Sequence, residues 1–462
     1  MKKLITFLIL FAVTLTSFSQ SLGYQDLALL FSENDANGTA RFTSMSGAFG
    51  ALGGDISSIN INPAGIAVFN NSAFSGSFNS RNTDITSNYY GTSRNNQNQF
   101  FNLTQAGAVL VFRSAYNSEW EKFAIGFNYR MKKDYNNGFS AVGNSGIATF
   151  RDFPLDNNTP TIDYNVAEEQ RFRNNYTGEL NEVSVAFSAV HQNKLYVGGG
   201  LNFYDLNFRQ RATLTEFNND GNGNTLDAIL YQENLTAGSG VSLNAGFIYK
   251  ASKNFRFGLS YQTPTWFTEI VQDVNYAFDN SNYIDGDFAN GDIDYFTQDE
   301  EFFERLGFQI NNYRLKTPSK LTASAALIFG KSGLLSVDYS NKNFTNMNLS
   351  DADFSGENQF FQNELRNVYA LNIGTEWRFD RFSVRGGYKF EQDPLKTALD
   401  SDNLEGYSFG GGYNFGNFKI DFSYSDNNRT AFYNSYPQFP SVNSTELAIS
   451  NKVFTGTVTI NL

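Results

Sequence analysis

The sequence predicts an all-β fold: a 14-stranded antiparallel transmembrane β-barrel with an N-terminal hatch, or plug, inside the lumen. Three observations carry this. Charged residues are only 17% of the 462 residues and aromatics reach 16%, whereas soluble domains carry about 25% charge. Apolar residues recur with period two in a long series of segments, which marks half-buried strands. An irregular, apolar, glycine-rich stretch precedes the series and needs an enclosure to satisfy its backbone.

The chain opens with Lys2-Lys3, an apolar run from Leu4 to Leu15, and Ser17-Phe18-Ser19. This is the pattern of a secretory leader, with cleavage expected after Ser19. The run is too short to span a bilayer as a helix. Residues 1–19 are therefore read as leader, 20–71 as hatch and 72–462 as barrel. Asp26, Leu27, Leu30 and Phe31 have helical spacing, which predicts a short helix over Tyr24–Phe31.

Gly38 to Phe69 holds six glycines, six Ser/Thr and two charges, Arg41 and Asp55. Glycine disfavours a long helix here, and it interrupts any strand alternation. Phe42, Met45, Phe49, Leu52, Ile56, Ile59, Ile61 and Ile66 give the stretch enough to bury.

From residue 72 onward, strands are placed near 72–80, 99–113, 121–132, 179–190, 194–208, 239–250, 254–270, 317–329, 333–342, 367–379, 381–391, 405–415, 417–426 and 452–462. Phe123/Ile125/Phe127/Tyr129 and Phe382/Val384/Gly386/Tyr388/Phe390 typify the apolar faces, with polar residues on the opposite face. Tyr261, Tyr339, Trp377, Phe379, Phe415 and Tyr424 crowd the ends of these faces, as interfacial girdles do. Short connections alternate with long ones, and the even count places both termini at the short-turn, periplasmic end. Pro264 interrupts the seventh strand; it is expected near the outer rim, with a wall defect as the alternative.

The run Gly38–Ala67, with Asn62-Pro63-Ala64 near its end, resembles the amino-terminal hatch of the FadL/TodX family of outer-membrane channels. The strand count and hatch position extend the resemblance over nearly the whole mature chain. The resemblance implies passive uptake of hydrophobic small molecules, such as long-chain fatty acids or aromatic hydrocarbons, across the outer membrane of a Gram-negative bacterium. It implies a ligand gate in the hatch, at Gly47, Phe49, Gly50, Gly53, Gly54, Asp55, Asn62, Pro63, Ala64 and Gly65. It also implies sideways release at a kinked third strand. The implied partners are the hydrophobic ligand, outer-membrane lipid and lipopolysaccharide, and the barrel assembly machinery. The alternative is a FadL-like barrel acting as a protein-binding scaffold or secretion-system component.

Other chemistry is thinly represented. There is no cysteine, so disulfides, thiol catalysis and cysteine metal sites are excluded. The lone histidine, His191, falls on a turn, away from the serine a catalytic triad requires. Asn218, Asp220, Asn222 and Gly223 open like a calcium loop, but Ile229 stands where a bidentate Glu is needed. No catalytic residue, metal site or cofactor is expected. The net charge of −12 disfavours nucleic acid. Phe302, Phe303, Leu306 and Phe308, after an acidic loop, are candidates for outer-loop ligand capture, and inward-facing Arg130, Arg256, Arg378 and Arg385 for holding a carboxylate.

Overall fold

A computed structural model describes residues 22–115, 118–154, 160–278, 291–293 and 309–462. The leader and the Phe302–Phe308 group lie outside these residues.

The alternating segments pair into one closed wall. The first three wall strands are β1 (Ala73–Tyr89), β2 (Thr92–Arg113) and β3 (Trp120–Asp134, resumed at Asn137–Gly143). Next come β4 (Val166–His191), β5 (Leu195–Asn219) and β6 (Thr225–Lys250). Two strands are each in two pieces: β7 (Phe255–Gln262 and Trp266–Phe278) and β8 (Gln309–Lys316 and Ser319–Phe329). The wall continues with β9 (Gly333–Asn343), β10 (Asn367–Phe379) and β11 (Phe382–Glu391). It ends with β12 (Leu404–Asn414), β13 (Phe418–Tyr433) and β14 (Thr445–Asn461). Neighbours are antiparallel, and β14 pairs with β1 from Ala73↔Asn461 to Asn88↔Glu446, so the 14 strands close. Closure leaves no edge to template aggregation.

The outward faces carry Phe127, Phe187, Phe203, Leu243, Leu259, Trp377 and Phe454, all substantially exposed. In water such a surface would be costly; against hydrocarbon it is the favoured face. Above this band the outward residues turn polar, as Asp205, Asn207 and Arg209 follow Phe203 along β5.

The strands run farther toward the long-loop end than expected. β1 and β2 meet at a tight Tyr90–Gly91 turn, and β5 and β6 at residues 220–224, so two predicted long loops are themselves strand. The apolar signal stops there because the outer face has left lipid, while hydrogen-bonded pairing continues. Pro264 interrupts β7 without ending it, since pairing resumes at Trp266. It lies between the two pieces of β7, level with the outer edge of the apolar band, since Trp266 pairs with Val241, which pairs with Phe203. Pro318 breaks β8 beside it, and threonines stitch the gap: Thr317 N donates to Thr265 O (3.0 Å) and Thr265 N to Thr317 Oγ1 (3.0 Å). The third strand carries a bulge at Lys132, between the Met131↔Asn181 and Lys133↔Leu180 pairs.

The N-terminal segment threads the lumen. Helix α1 (Tyr24–Ser32) sits toward the long-loop end, where Leu27, Ala28 and Phe31 pack among Tyr135, Phe208, Phe267, Tyr313 and Phe361. Leu22 donates its backbone N–H to Gln210 Oε1 (3.0 Å), high on β5. The first described residue therefore stands toward the long-loop end, not beside Leu462 at the short-turn end as expected. From α1 the chain descends to the hatch, which fills the short-turn half.

Candidate functional site

The hatch is built from short pieces because its glycines permit nothing longer. Helix α2 (Ala40–Thr43) is followed by two 3₁₀ segments, Ile56–Asn60 and Pro63–Val68. Gly47, Gly53 and Gly54 have φ of 77°, 58° and 66°, values that side chains disfavour. Asp55 caps the first 3₁₀ segment, accepting from Ser57 N (3.0 Å) and Thr39 Oγ1. Gly50 N donates to Asp338 Oδ2 on β9 (2.9 Å), and Phe49 is fully buried against Phe42.

The Asn62-Pro63-Ala64 tripeptide acts as a staple. Asn62 Oδ1 accepts from Ala64 N (3.2 Å), with Pro63 in the first turn, where its missing N–H costs nothing. Asn62 Nδ2 donates both to Gly50 O (2.8 Å) and to Phe247 O in the wall (3.0 Å). Ser188 Oγ on β4 donates to Ala64 O (3.2 Å).

Inward glycines of the wall, which sequence reasoning did not single out, make room for this contact. A Cβ at Gly198 would stand 2.6 Å from Ala64 N, one at Gly246 2.5 Å from Asn62 Oδ1, and one at Gly374 2.6 Å from Met45 O. Their signal was glycine on the polar face of an otherwise regular strand, which marks close backbone approach.

The four inward arginines do not form a carboxylate site. Arg130 pairs with Glu182 (2.6 Å), and Arg385 with Glu376 (2.8 Å) and Asp421 (2.6 Å). Arg378 Nε donates to Glu376 (2.7 Å), and Arg256 Nη1 to Leu52 O of the hatch (3.1 Å). Each is committed to the wall or hatch. The bulge in β3 adds two cations to the lumen. Strict alternation sends only one of two adjacent residues inward, but the bulge turns both Lys132 and Lys133 into the lumen. Lys133 Nζ holds Asp35 (2.7 Å) and Glu33 (2.9 Å) below α1. Lys132 Nζ lies 4.9 Å from the centre of the Tyr204 ring, at the edge of the apolar cluster around α1. Lys320 and Lys342 are register partners on β8 and β9, and Lys389 projects from β11. Lys342 is bound to Glu391. Among the described residues, Lys132, Lys320 and Lys389 have no carboxylate within ion-pair distance.

Glu33 is also held by Arg429 (2.7 Å). Burial opposes its charge, but Arg429 and Lys133 outweigh it and bring its pKa down to about 2. The lumen thus has three layers: hatch, charged belt, and an aromatic pocket filled by Leu27 and Phe31.

His191 ends β4 and faces Glu119 (3.1 Å) at the short-turn rim, with no serine partner among the described residues. Asp220 spends its carboxylate on its own turn, accepting from Asn222 N (2.7 Å) and Asn224 N (3.1 Å), so the calcium-like motif is a turn. Among the described residues no group of His, Asp and Glu is placed to hold a metal ion.

A closed barrel with a hydrogen-bonded plug stapled beneath a charged lumen defines the class: a plugged fourteen-stranded membrane barrel. Its fold is that of the FadL and TodX channels. The structure is similar to a Pseudomonas aeruginosa FadL homologue, with TM-score 0.59 and 13% identity over 93% of this chain and 99% of that one. It is also similar to the Pseudomonas putida toluene transporter TodX (0.53, 13%, 93% and 100%). The Ralstonia pickettii toluene transporter TbuX gives 0.52 and 16% identity, over 92% and 98%. No family model and no curated protein sequence matches the chain.

Proposed function

We propose that the protein is an outer-membrane uptake channel for hydrophobic small molecules, and that its cargo is an acidic amphiphile such as a long-chain fatty acid. The barrel, the plug and the likeness to channels named as FadL homologues and toluene transporters support the first part.

The second part rests on one observation. Among the described residues, Lys132, Lys320 and Lys389 project into the lumen with no carboxylate within ion-pair distance, and Lys132 touches the rim of the aromatic pocket. A neutral hydrocarbon has no use for such a site, whereas cations with no carboxylate in direct contact gain one when an acidic ligand binds. A fatty acid fits both halves. Its chain gains roughly 0.8 kcal/mol per buried CH2, and its carboxylate makes charge-assisted hydrogen bonds to the lysines.

The test is uptake of labelled oleate and labelled toluene by cells lacking their own channels. The wild type restores oleate uptake, and a Lys132→Gln, Lys320→Gln, Lys389→Gln variant loses most of it. Toluene entry that matches or exceeds oleate entry, indifferent to the lysines, would reverse the choice of cargo. A correctly inserted barrel that moves neither compound would turn attention to the scaffold alternative.

A further inference from the structure

The chain is acidic overall, at −12, yet the short-turn end of the barrel is basic. Arg113, Lys122, Lys250, Arg256, Arg378 and Lys419 occupy inward strand positions around that mouth. Lys194, Lys253, Lys331 and Arg381 stand exposed in the adjoining turns. The exposed side-chain carboxylates among the described residues there are Glu119, Glu121 and Asp380, and Glu119 is already engaged by His191 and Gln192.

Three of the cations hold the underside of the hatch. Lys122 Nζ donates to Phe69 O (2.7 Å), Arg113 Nη2 to Asn70 O (3.0 Å) and Arg256 Nη1 to Leu52 O (3.1 Å). None of the three has a carboxylate within ion-pair distance among the described residues. A neutral carbonyl is a weaker partner for a cation than a carboxylate is. The hatch is thus fastened from below by bonds that an acidic group could outcompete.

Lipid is the poorer candidate for that group. Outward neighbours on the same strands are Phe112, Tyr249, Phe255, Trp377 and Phe418, all exposed. Headgroups of the surrounding leaflet therefore meet aromatics, while the cations face the aqueous mouth. A ring in which cations outnumber carboxylates, around an opening with low-dielectric walls, focuses its field on what approaches along the axis.

We propose that the short-turn mouth is a docking site for an acidic segment of a soluble protein, whose carboxylates draw Lys122, Arg113 and Arg256 from the hatch carbonyls and loosen the hatch. This rests on the uptake-channel reading, in which that end faces the periplasm. The binding assay below measures no transport, so either idea can fail without the other.

The probe is a fluorescent peptide of alternating glutamate and serine, added to the mature protein in phosphatidylcholine nanodiscs. Wild-type protein binds it, and affinity drops about tenfold between low and physiological salt. A Lys194→Gln, Lys250→Gln, Lys253→Gln, Lys419→Gln variant spares the three hatch contacts and loses affinity by at least about tenfold. Heat-modifiable gel migration confirms that it is folded. Because the chain has no cysteine, the thiol of an Ala67→Cys variant reports on the hatch, where Ala67 is fully buried; peptide accelerates its labelling. Absent binding, binding that ignores the four substitutions, or binding without faster labelling overturns the proposal. So does loss of peptide binding when phosphatidylglycerol is included, which would give the ring to lipid.

Discussion

Ala64 of the hatch and Gly198 of β5 are in backbone contact through the barrel wall's inner face: a methyl group at Gly198 would lie 2.6 Å from Ala64 N and 2.7 Å from Pro63 C. Both obstacles are backbone, so neither can rotate away. A Gly198→Val substitution must push the second 3₁₀ segment inward. The outward neighbours Val197 and Gly199 keep their lipid contacts, so the barrel should still insert. Hydrogen exchange of residues 62–68 should accelerate by at least about tenfold, or ~1.4 kcal/mol of lost protection. Unchanged exchange would mean that the contact is slack.

Asn62 makes the same join by hydrogen bonds. Its amide holds Gly50 O and Phe247 O and caps Ala64 N. Replacing Asn62-Pro63-Ala64 with Gly-Ser-Gly removes the cap, the fixed φ and the wall bonds together. Ligand uptake should fall while heat-modifiable migration of the barrel persists. Uptake at the wild-type level would reduce the tripeptide to a passive turn.

The barrel and hatch were legible because each carries a local signal. Lipid on one side forces apolar alternation in Phe123, Ile125 and Phe127, and the glycines between Gly38 and Gly65 mark a backbone that must bend. The lumen was far less legible. Its polar face has no period to read, and its partners are remote in sequence, as Arg41 and Glu376 are. Alternation made Arg130 and Arg385 eligible for a ligand but could not show Glu182 and Glu376 opposite them. It also could not show Lys132 and Lys133 both turned inward, since a bulge breaks the rule on which the reading relied. Nor could the spacing of Leu27 and Phe31 say that α1 lies inside the barrel.

Glu376 is a hub for the hatch. It accepts from Arg41 of the hatch (2.7 Å) and from Arg385 and Arg378 of the wall. Arg41 also donates to Gly54 O (2.9 Å) and lies 5.1 Å from the Phe49 ring centre. Glu376→Leu leaves Arg41 without a carboxylate in contact, while Arg385 keeps Asp421, and should cost about 3–5 kcal/mol, read as a lower temperature for loss of the folded gel band. Adding Arg41→Met removes one stranded charge and should recover part of the loss. A double variant as unstable as the sum of both singles would show that Arg41 and Glu376 are not coupled.

The docking of α1 depends on pH through Glu33. Glu33 has an ordinary pKa of 4.5, and Arg429 and Lys133 hold it near 2 against the opposing effect of burial. A lowered folded-state value means that the charged form favours the docked segment. That contribution is complete above about pH 4.5 and is lost as pH falls toward 2. Asp35, held by Lys133 and Arg81, shifts in the same direction. The thiol of a Leu27→Cys variant, at a fully buried position, should therefore be protected at neutral pH and become reactive toward an acid-tolerant disulfide reagent below about pH 4. In Glu33→Gln protein the carboxylate contribution is already missing, so reactivity at neutral pH should rise and its acid dependence flatten. If acidification exposes the thiol equally in both proteins, Glu33 does not anchor the helix, and the packing of Phe31 against Tyr135 and Phe208 is what holds it.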